Sequence, residues 1–278
     1  DFFEEIAKIR ALRQIWATTM QERFGVSDPR AMHVRIHTHT AGATLTAEQP
    51  LVNLIRTTLQ AFGAALSGVQ AMEVAAYDEA YAIPTEEAAT LTLRIQQVIQ
   101  EETNITSVSD PLAGSYFMEK LTDQMARAAT DLAEEIERMG GYIAAQRQGW
   151  IRTQIENSAE QWRDQVDSGE SRLVGVNCYQ SDDHREPDLF TVDERVERIA
   201  IERIRAHRQE RDAGKFEAAM AEFRAAVGLF AEQPMAGVGD DRLMEAAIAA
   251  AEADATTGEM MAAMKAALGW DAPYNFAA

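Results

Sequence analysis

Within the first 140 residues the chain runs through one order of structure, helix, strand, helix, strand, helix, strand, helix, with short links between members. That order, with a helix between successive strands, dictates parallel strands joined by crossover helices, and hence an α/β fold. The spacing predicts strands at about 32–37, 69–75 and 105–109, the last ending in Asp110-Pro111. The first helix, over 1–24, carries Phe3, Ile6, Ile9, Leu12 and Ile15 or Trp16 as its apolar stripe. Pro50 suits a first helical turn and opens a helix with Leu51, Leu54, Ile55, Leu59, Phe62 and Leu66 on one face, ended by Gly68. Pro84-Thr85-Glu86-Glu87 is a helix start, a hydroxyl cap followed by two carboxylates at the positive end of the dipole. Ala88, Leu91, Ile95 and Val98 form that helix's expected buried face, and a longer helix over about 115–138 closes at Gly140-Gly141.

Past that point the character changes. Residues 142–165 read as helix, 171–177 as one more strand and 181–189 as an acidic loop. The segment 191–212 carries six acidic and six basic residues at helical spacing, with Glu194 and Arg198 an i,i+4 pair, and reads as a solvated helix face. The Ala- and Met-rich stretch 215–268 reads as two or three packed helices whose methionines fill a core. A net charge of −19 without a concentrated basic patch argues against nucleic acid and anionic lipid as partners. An anionic substrate would need cations placed locally or on another chain. No apolar run approaches the roughly 20 residues that span a bilayer. The single Cys178 cannot form an intramolecular disulfide and suits a reducing compartment, so a cytoplasmic location is expected. The opening Asp1-Phe2-Phe3-Glu4-Glu5-Ile6, already in helical rhythm and without Met, is expected to lie inside a longer protein. Three strands cannot close a sheet, so other segments are expected to complete it.

The residues most suggestive of chemistry are His37 and His39. Two positions apart on a strand, they share a face, with Thr38 and Thr40 on the other. The C-terminal end of a strand feeding a helix is where α/β barrels place their chemistry. One reading is a metal-dependent barrel hydrolase in which the pair ligates a divalent ion, which needs three or four protein ligands. Of the remaining histidines, His33 lies roughly 13 Å back along such a strand. His184 falls in the acidic loop and His207 in the charged helix, which leaves the ligand set incomplete.

The other reading comes from resemblance. Arg35-Ile-His-Thr-His-Thr-Ala-Gly-Ala-Thr-Leu-Thr-Ala-Glu-Gln-Pro50 resembles the signature of the methylmalonyl-CoA mutase family, the adenosylcobalamin-dependent acyl-CoA mutases. So do Tyr77-Asp-Glu-Ala-Tyr-Ala-Ile-Pro-Thr85, Ile99-Gln-Glu-Glu102, Asp110-Pro-Leu-Ala-Gly-Ser-Tyr116, Glu137-Arg-Met-Gly-Gly141 and Val174-Gly-Val-Asn177. These motifs keep the family's order and spacing to about residue 212, and the likeness is greatest to the large subunits of split mutases. The resemblance implies a (β/α)8 TIM barrel whose last three βα units occupy 1–140, followed by a mostly helical C-terminal extension over 141–278. It implies a radical 1,2-rearrangement of the carbon skeleton of a short branched acyl-CoA, of methylmalonyl-CoA type. The cobalt would be ligated by a separate domain or chain.

By resemblance, Glu79 matches the glutamate that holds the adenosyl ribose, a role suited to a carboxylate facing two vicinal hydroxyls. Ala82 matches a small position beside the cofactor, and Gly42 one where backbone approaches the corrin. His37 matches a histidine at the active-site mouth. His39 stands where single-chain mutases usually carry glutamine and split large subunits more often histidine; the two are the candidate catalytic residues. Departures exist. Relatives read Leu-His-Thr-Asn-Ser where this chain has Met72-Glu-Val-Ala-Ala76, so the asparagine that contacts the adenosyl group is Ala75 here. Leu112 and Ala113 alter the Asp-Pro turn, and Cys178 replaces a common lysine and reads as inert. The upstream substrate-binding half and a cobalt-ligating Asp-x-His-x-x-Gly are missing; Asp182-Asp-His-Arg-Glu-Pro187 only imitates the latter. The expected partners are therefore an acyl-CoA, a cobalamin-binding domain or small subunit and the upstream barrel half, in a hetero- or homo-oligomer. Alone the segment is expected to be silent, and a non-catalytic mutase-like scaffold is a third reading.

Overall fold

A computed structural model describes residues 1–181, 188–232 and 242–269. Helix α1 (Phe2–Glu22) opens under an Asp1 cap whose carboxylate accepts the Phe3 and Glu4 amides. A short turn, α2 (Pro29–Met32), leads to strand β1 (His37–His39). A 3-10 turn at Gly42–Thr44 and helix α3 (Val52–Leu66) follow, and then strand β2 (Ala71–Glu73). The strands pair in parallel, His37 opposite Ala71, Thr38 opposite Met72 and His39 opposite Glu73. Helix α4 (Glu86–Glu102) starts where the sequence signals it, with the Thr85 hydroxyl accepting the Ala88 amide. Helix α5 (Tyr116–Arg138) is capped by Ser115 and stopped at Gly140 and Gly141, both at positive φ.

The crossover puts α3 and α4 on one face of the sheet. There Met72 and Val74 join Ala61, Ile95 and Ile99, with Leu54, Phe62 and Ala65 around them. A second cluster gathers Ala76, Tyr77 and Ala88 under the loop that follows β2. A third, Ile6, Ala7 and Met118, joins α1 to α5. Arg13 of α1 donates to the Ser67 carbonyl (2.6 Å) and to that of Gly68, placing a cation at the negative end of α3.

Several sequence expectations are corrected. The first strand covers His37–His39 instead of about 32–37, although exposure alternates from His33 to His39 as an extended segment requires. Half of the stripe named on α3 faces inward: Leu54, Phe62 and Leu66 pack against core clusters, but Leu51, Ile55 and Leu59 are exposed, and the fully buried positions are Asn53, Thr57 and Ala61. On α4 the inward residue is Ile99, not Val98. The segment expected as a third strand forms a 3-10 turn, Ile105–Ser107, between Asn104 and Asp110, both at positive φ. A strand requires a neighbour to pair with, and this segment has none among the described residues. Residues 171–177 also form no strand. Asn177 accepts the Leu173 amide at 2.7 Å and donates to the Val166 and Ser171 carbonyls at 2.8 Å each, which closes the segment into a turn. The helix expected over 142–165 divides into α6 (Tyr142–Arg147) and α7 (Trp150–Asp167) at Gly149, φ 76°.

The chain separates into two units, Asp1–Phe190 and Thr191–Ala278. In the second, helix α8 (Glu194–Glu210) buries none of its residues, as its charge pattern predicts. Helices α9 (Ala213–Glu232), α10 (Arg242–Glu252) and α11 (Thr257–Leu268) enclose Phe216, Met220, Phe223, Val227 and Ala250. Met260 and Met264 pack against that core, the filling role expected of them. The acidic motif 182–187, with His184, lies outside the described residues.

Candidate functional site

The sheet has one covered and one open face. His37, His39, Ala71 and Glu73 are exposed on the open face, while Thr38 and Met72 turn toward the helices. The shared orientation of the two histidines is therefore as the spacing predicts. Just past both strands, Thr40 fastens the chain ends together. Its amide donates to the Glu73 carbonyl at 3.0 Å and its buried hydroxyl accepts the Ala75 amide at 2.7 Å.

Two loops leave the same end of the sheet, 41–51 after β1 and 74–85 after β2, and one side chain pins both. Asn53, fully buried at the start of α3, accepts the Thr46 amide (3.1 Å) and donates to the Thr46 carbonyl (2.8 Å) and the Tyr77 carbonyl (3.0 Å). Arg56 donates to the Asn53 side-chain oxygen (2.7 Å), to the Thr46 hydroxyl (3.0 Å) and to the Val174 carbonyl (2.6 Å). It thereby ties the 173–178 turn to the first loop. Burial lowers the Arg56 pKa from its ordinary value, partly countered by Glu48, and the guanidinium stays charged. Tyr81 adds a hydroxyl bond to the Ala47 carbonyl at 2.5 Å.

In the second loop Asp78 is buried and one of its carboxylate oxygens accepts both the amide (2.9 Å) and the hydroxyl (3.0 Å) of Thr85. This clasp fixes a tight turn in which the amides of Tyr81 and Ala82 both donate to the Asp78 carbonyl. Burial is the main reason the Tyr77 phenol is raised above its ordinary pKa, helped by Glu87, Asp78 and Asp188. The phenol therefore stays neutral at physiological pH.

Held in this way, Glu79 is exposed at the mouth and its carboxylate lies over Gly42. A Cβ built on Gly42 would stand 2.3 Å from Glu79 Oε1. The absent Cβ is what leaves room for the carboxylate, since any side chain at this position would push it aside. Gly42 and Glu79 are thus brought together, Ala82 sits half-buried in the Asp78 turn, and His37 and His39 occupy the strand that feeds the first loop. Ala75 is buried at the Thr40 clasp. Among the described residues no three His, Cys, Asp or Glu side chains converge as metal ligands, so the set required by a hydrolase is not assembled by them.

Sequence reasoning missed Thr40, Asn53, Arg56 and Glu73. Asn53 and Thr57, four apart and so on one face of α3, were the available signal for buried polar work.

The family model for methylmalonyl-CoA mutase matches residues 1–270. The chain belongs to the methylmalonyl-CoA mutase family. Among its mutase relatives, the 2-hydroxyisobutanoyl-CoA mutase large subunit of Aquincola tertiaricarbonis is 39% identical over 266 residues, covering 95% of this chain and 46% of that protein. The methylmalonyl-CoA mutase of Rhizobium meliloti is 37% identical over 270 residues, 97% of this chain and 36% of the relative. That of Escherichia coli is 35% identical over 271 residues, again 36% of its length. The chain therefore spans less than half the length of these mutases. No described helix is long and apolar enough to cross a membrane.

Proposed function

We propose that the chain is the C-terminal part of the barrel chain of an adenosylcobalamin-dependent acyl-CoA mutase, an isomerase located in the cytoplasm. In this reading residues 1–140 supply the last three βα units of a (β/α)8 barrel and 141–278 its helical extension. The third strand, at 105–109, would take strand form between β2 and a neighbour from the upstream half. The remaining parts are that upstream half, an acyl-CoA and a cobalamin-binding domain or small subunit, assembled as a hetero- or homo-oligomer. By itself the segment is inactive.

The observation that carries the reading is the seat of Glu79 on Gly42 at the C-terminal ends of two parallel strands. The carboxylate's chemistry fits the cofactor's sugar. An exposed carboxylate, acceptor-only when ionised, suits a ribose diol, and the missing Cβ leaves its position free. Glu79 would hold the adenosyl ribose, Ala82 would leave space beside it, and Gly42 would keep the backbone open toward the corrin. Bound adenosylcobalamin supplies the radical that makes a 1,2-shift accessible. The chain's own residues bind, orient and exclude water. His37 and His39 offer ring donors to substrate or corrin amides from the strand face, and Asn53 holds both loops in register while they do so.

The test is a visible-absorbance titration of adenosylcobalamin into the full-length protein with its cobalamin-binding partner. Glu79→Ala is expected to weaken the adenosyl-dependent part of binding about tenfold while leaving cob(II)alamin affinity unchanged, whereas Gly42→Ala should weaken the binding of both cobalamins. Wild-type affinity and turnover in both variants would remove this assignment. A stoichiometric divalent metal held through His37 and His39 would favour the hydrolase instead.

A further inference from the structure

On the open face of the sheet, Glu73 stands directly across the ladder from His39. Neighbouring strands lie about 4.8 Å apart, so the two side chains leave the sheet together. Glu73 is exposed, and its side chain has no hydrogen bond or ion pair among the described residues, while the flanking Met72 and Val74 turn into the helix-covered core. The pairing also fixes its depth, at the C-terminal end of the strands, level with the second histidine and just before the Thr40 clasp. The described part of this face therefore presents two imidazoles and one carboxylate. Arg35, the cation of the same alternation, lies four residues back from His39, about 13 Å toward the opposite end.

We infer that Glu73 is a specificity-determining residue that selects acyl groups bearing a hydrogen-bond donor, such as a hydroxyl, and disfavours those bearing a second carboxylate. This rests on the mutase reading above and deepens it by naming the substrate class. An ionised carboxylate can only accept, so a hydroxyl on the acyl chain satisfies it directly, and the imidazole of His39 can donate to the same oxygen. A substrate carboxylate about 5 Å away meets like charge, which at an effective dielectric of about 20 disfavours binding on the order of a hundredfold. Exposed glutamates on edge strands are common and serve only to block pairing. Glu73 differs in register and depth, since it shares a rung with His39 at the end of the sheet where barrel chemistry lies.

The experiment compares 2-hydroxyisobutanoyl-CoA, isobutanoyl-CoA and methylmalonyl-CoA with the full-length protein and its cobalamin-binding partner. Affinity is read by calorimetry without cofactor, and kcat/KM with adenosylcobalamin present. The wild type is expected to favour the hydroxyacyl thioester over methylmalonyl-CoA at least tenfold by both readouts. Isobutanoyl-CoA, with neither donor nor extra charge, should fall between them. Glu73→Gln should narrow the ratio at least tenfold, Glu73→Asp should keep most of it, and neither should change adenosylcobalamin affinity. A wild type that prefers methylmalonyl-CoA, or a ratio unmoved within twofold in Glu73→Gln, overturns the assignment. Adenosylcobalamin binding and turnover with an unmoved ratio sinks only the role of Glu73; no cofactor binding and no turnover of any thioester sinks the mutase reading and this inference with it.

Discussion

The α9–α11 bundle and the β1–β2 sheet solve the burial problem in opposite ways. The bundle closes around its own residues, with Phe223, Met220 and Val227 each at most 2% exposed. The sheet region divides its core into three small clusters and leaves one sheet face and the Leu51–Ile55–Leu59 stripe open. Where the bundle relies on apolar packing, the sheet's loops rely on buried polar groups, Asn53, Asp78 and Thr40. Apolar cores are non-directional and tolerate repacking, whereas hydrogen-bonded pins fix geometry and fail all at once. A region that presents a site needs the second kind.

Phe223→Ala should be the heaviest loss, about 4 kcal/mol from transfer and cavity terms together. Peptide-resolved hydrogen exchange should place the loss in 213–232, 242–252 and 257–268, with protection of 37–40 and 71–78 retained. Equal loss in both regions would end the contrast drawn above. Asn53→Ala comes next, at about 3 kcal/mol, because the buried Tyr77 carbonyl and the half-buried amide and carbonyl of Thr46 would lose their partner. Exchange should rise together in 42–49 and 75–81, and a rise in only one loop would refute the shared pin.

Glu259 gives the smallest and most conditional effect. Its two oxygens take Arg211 in a fork, 2.8 and 2.9 Å, while its side chain also closes a capping box with Thr256. Arg211 in turn lies over the Phe216 ring, 3.3 Å from its centroid. The Arg211 hydrogen bonds are the main reason the Glu259 carboxyl is held at about 2 instead of 4.5. A depressed carboxylate stabilises the fold above its unfolded pKa and loses that contribution as pH falls from about 4.5 toward 2. Glu259→Gln should therefore cost on the order of 2 kcal/mol at pH 7 and much less at pH 2.5, measured by denaturant titration of the bundle signals. A constant difference across that window would mean that packing, not charge, is at stake.

Helix boundaries were legible because capping is local chemistry. Thr85, Ser115, Gly68 and the Gly140-Gly141 stop act within a few residues of themselves and sit where the sequence puts them. The third strand was not, because extended residues become a strand only when something pairs with them. The α3 face was misread for a related reason. Leu51, Ile55 and Leu59 carry the apolar signal, yet Asn53 and Thr57 are buried, and Asn53 is buried because it serves distant loop backbone that periodicity cannot see. At the site, the common direction of His37 and His39 follows from the two-residue spacing alone. The rung joining His39 to Glu73 and the seat of Glu79 on Gly42 depend on register and loop closure, which no local pattern encodes.

That seat has a consequence for how tightly a ligand can be held. A glutamate free in solvent samples many rotamers, and fixing it costs up to about 2 kcal/mol. With the loop clamped by Asp78, the backbone that carries Glu79 is already fixed when the partner arrives, and the bare backbone at Gly42 leaves the carboxylate a place to lie. The smallest residue in the chain thus acts as a rest for one of its longer side chains, and affinity at this spot depends on an atom that is missing.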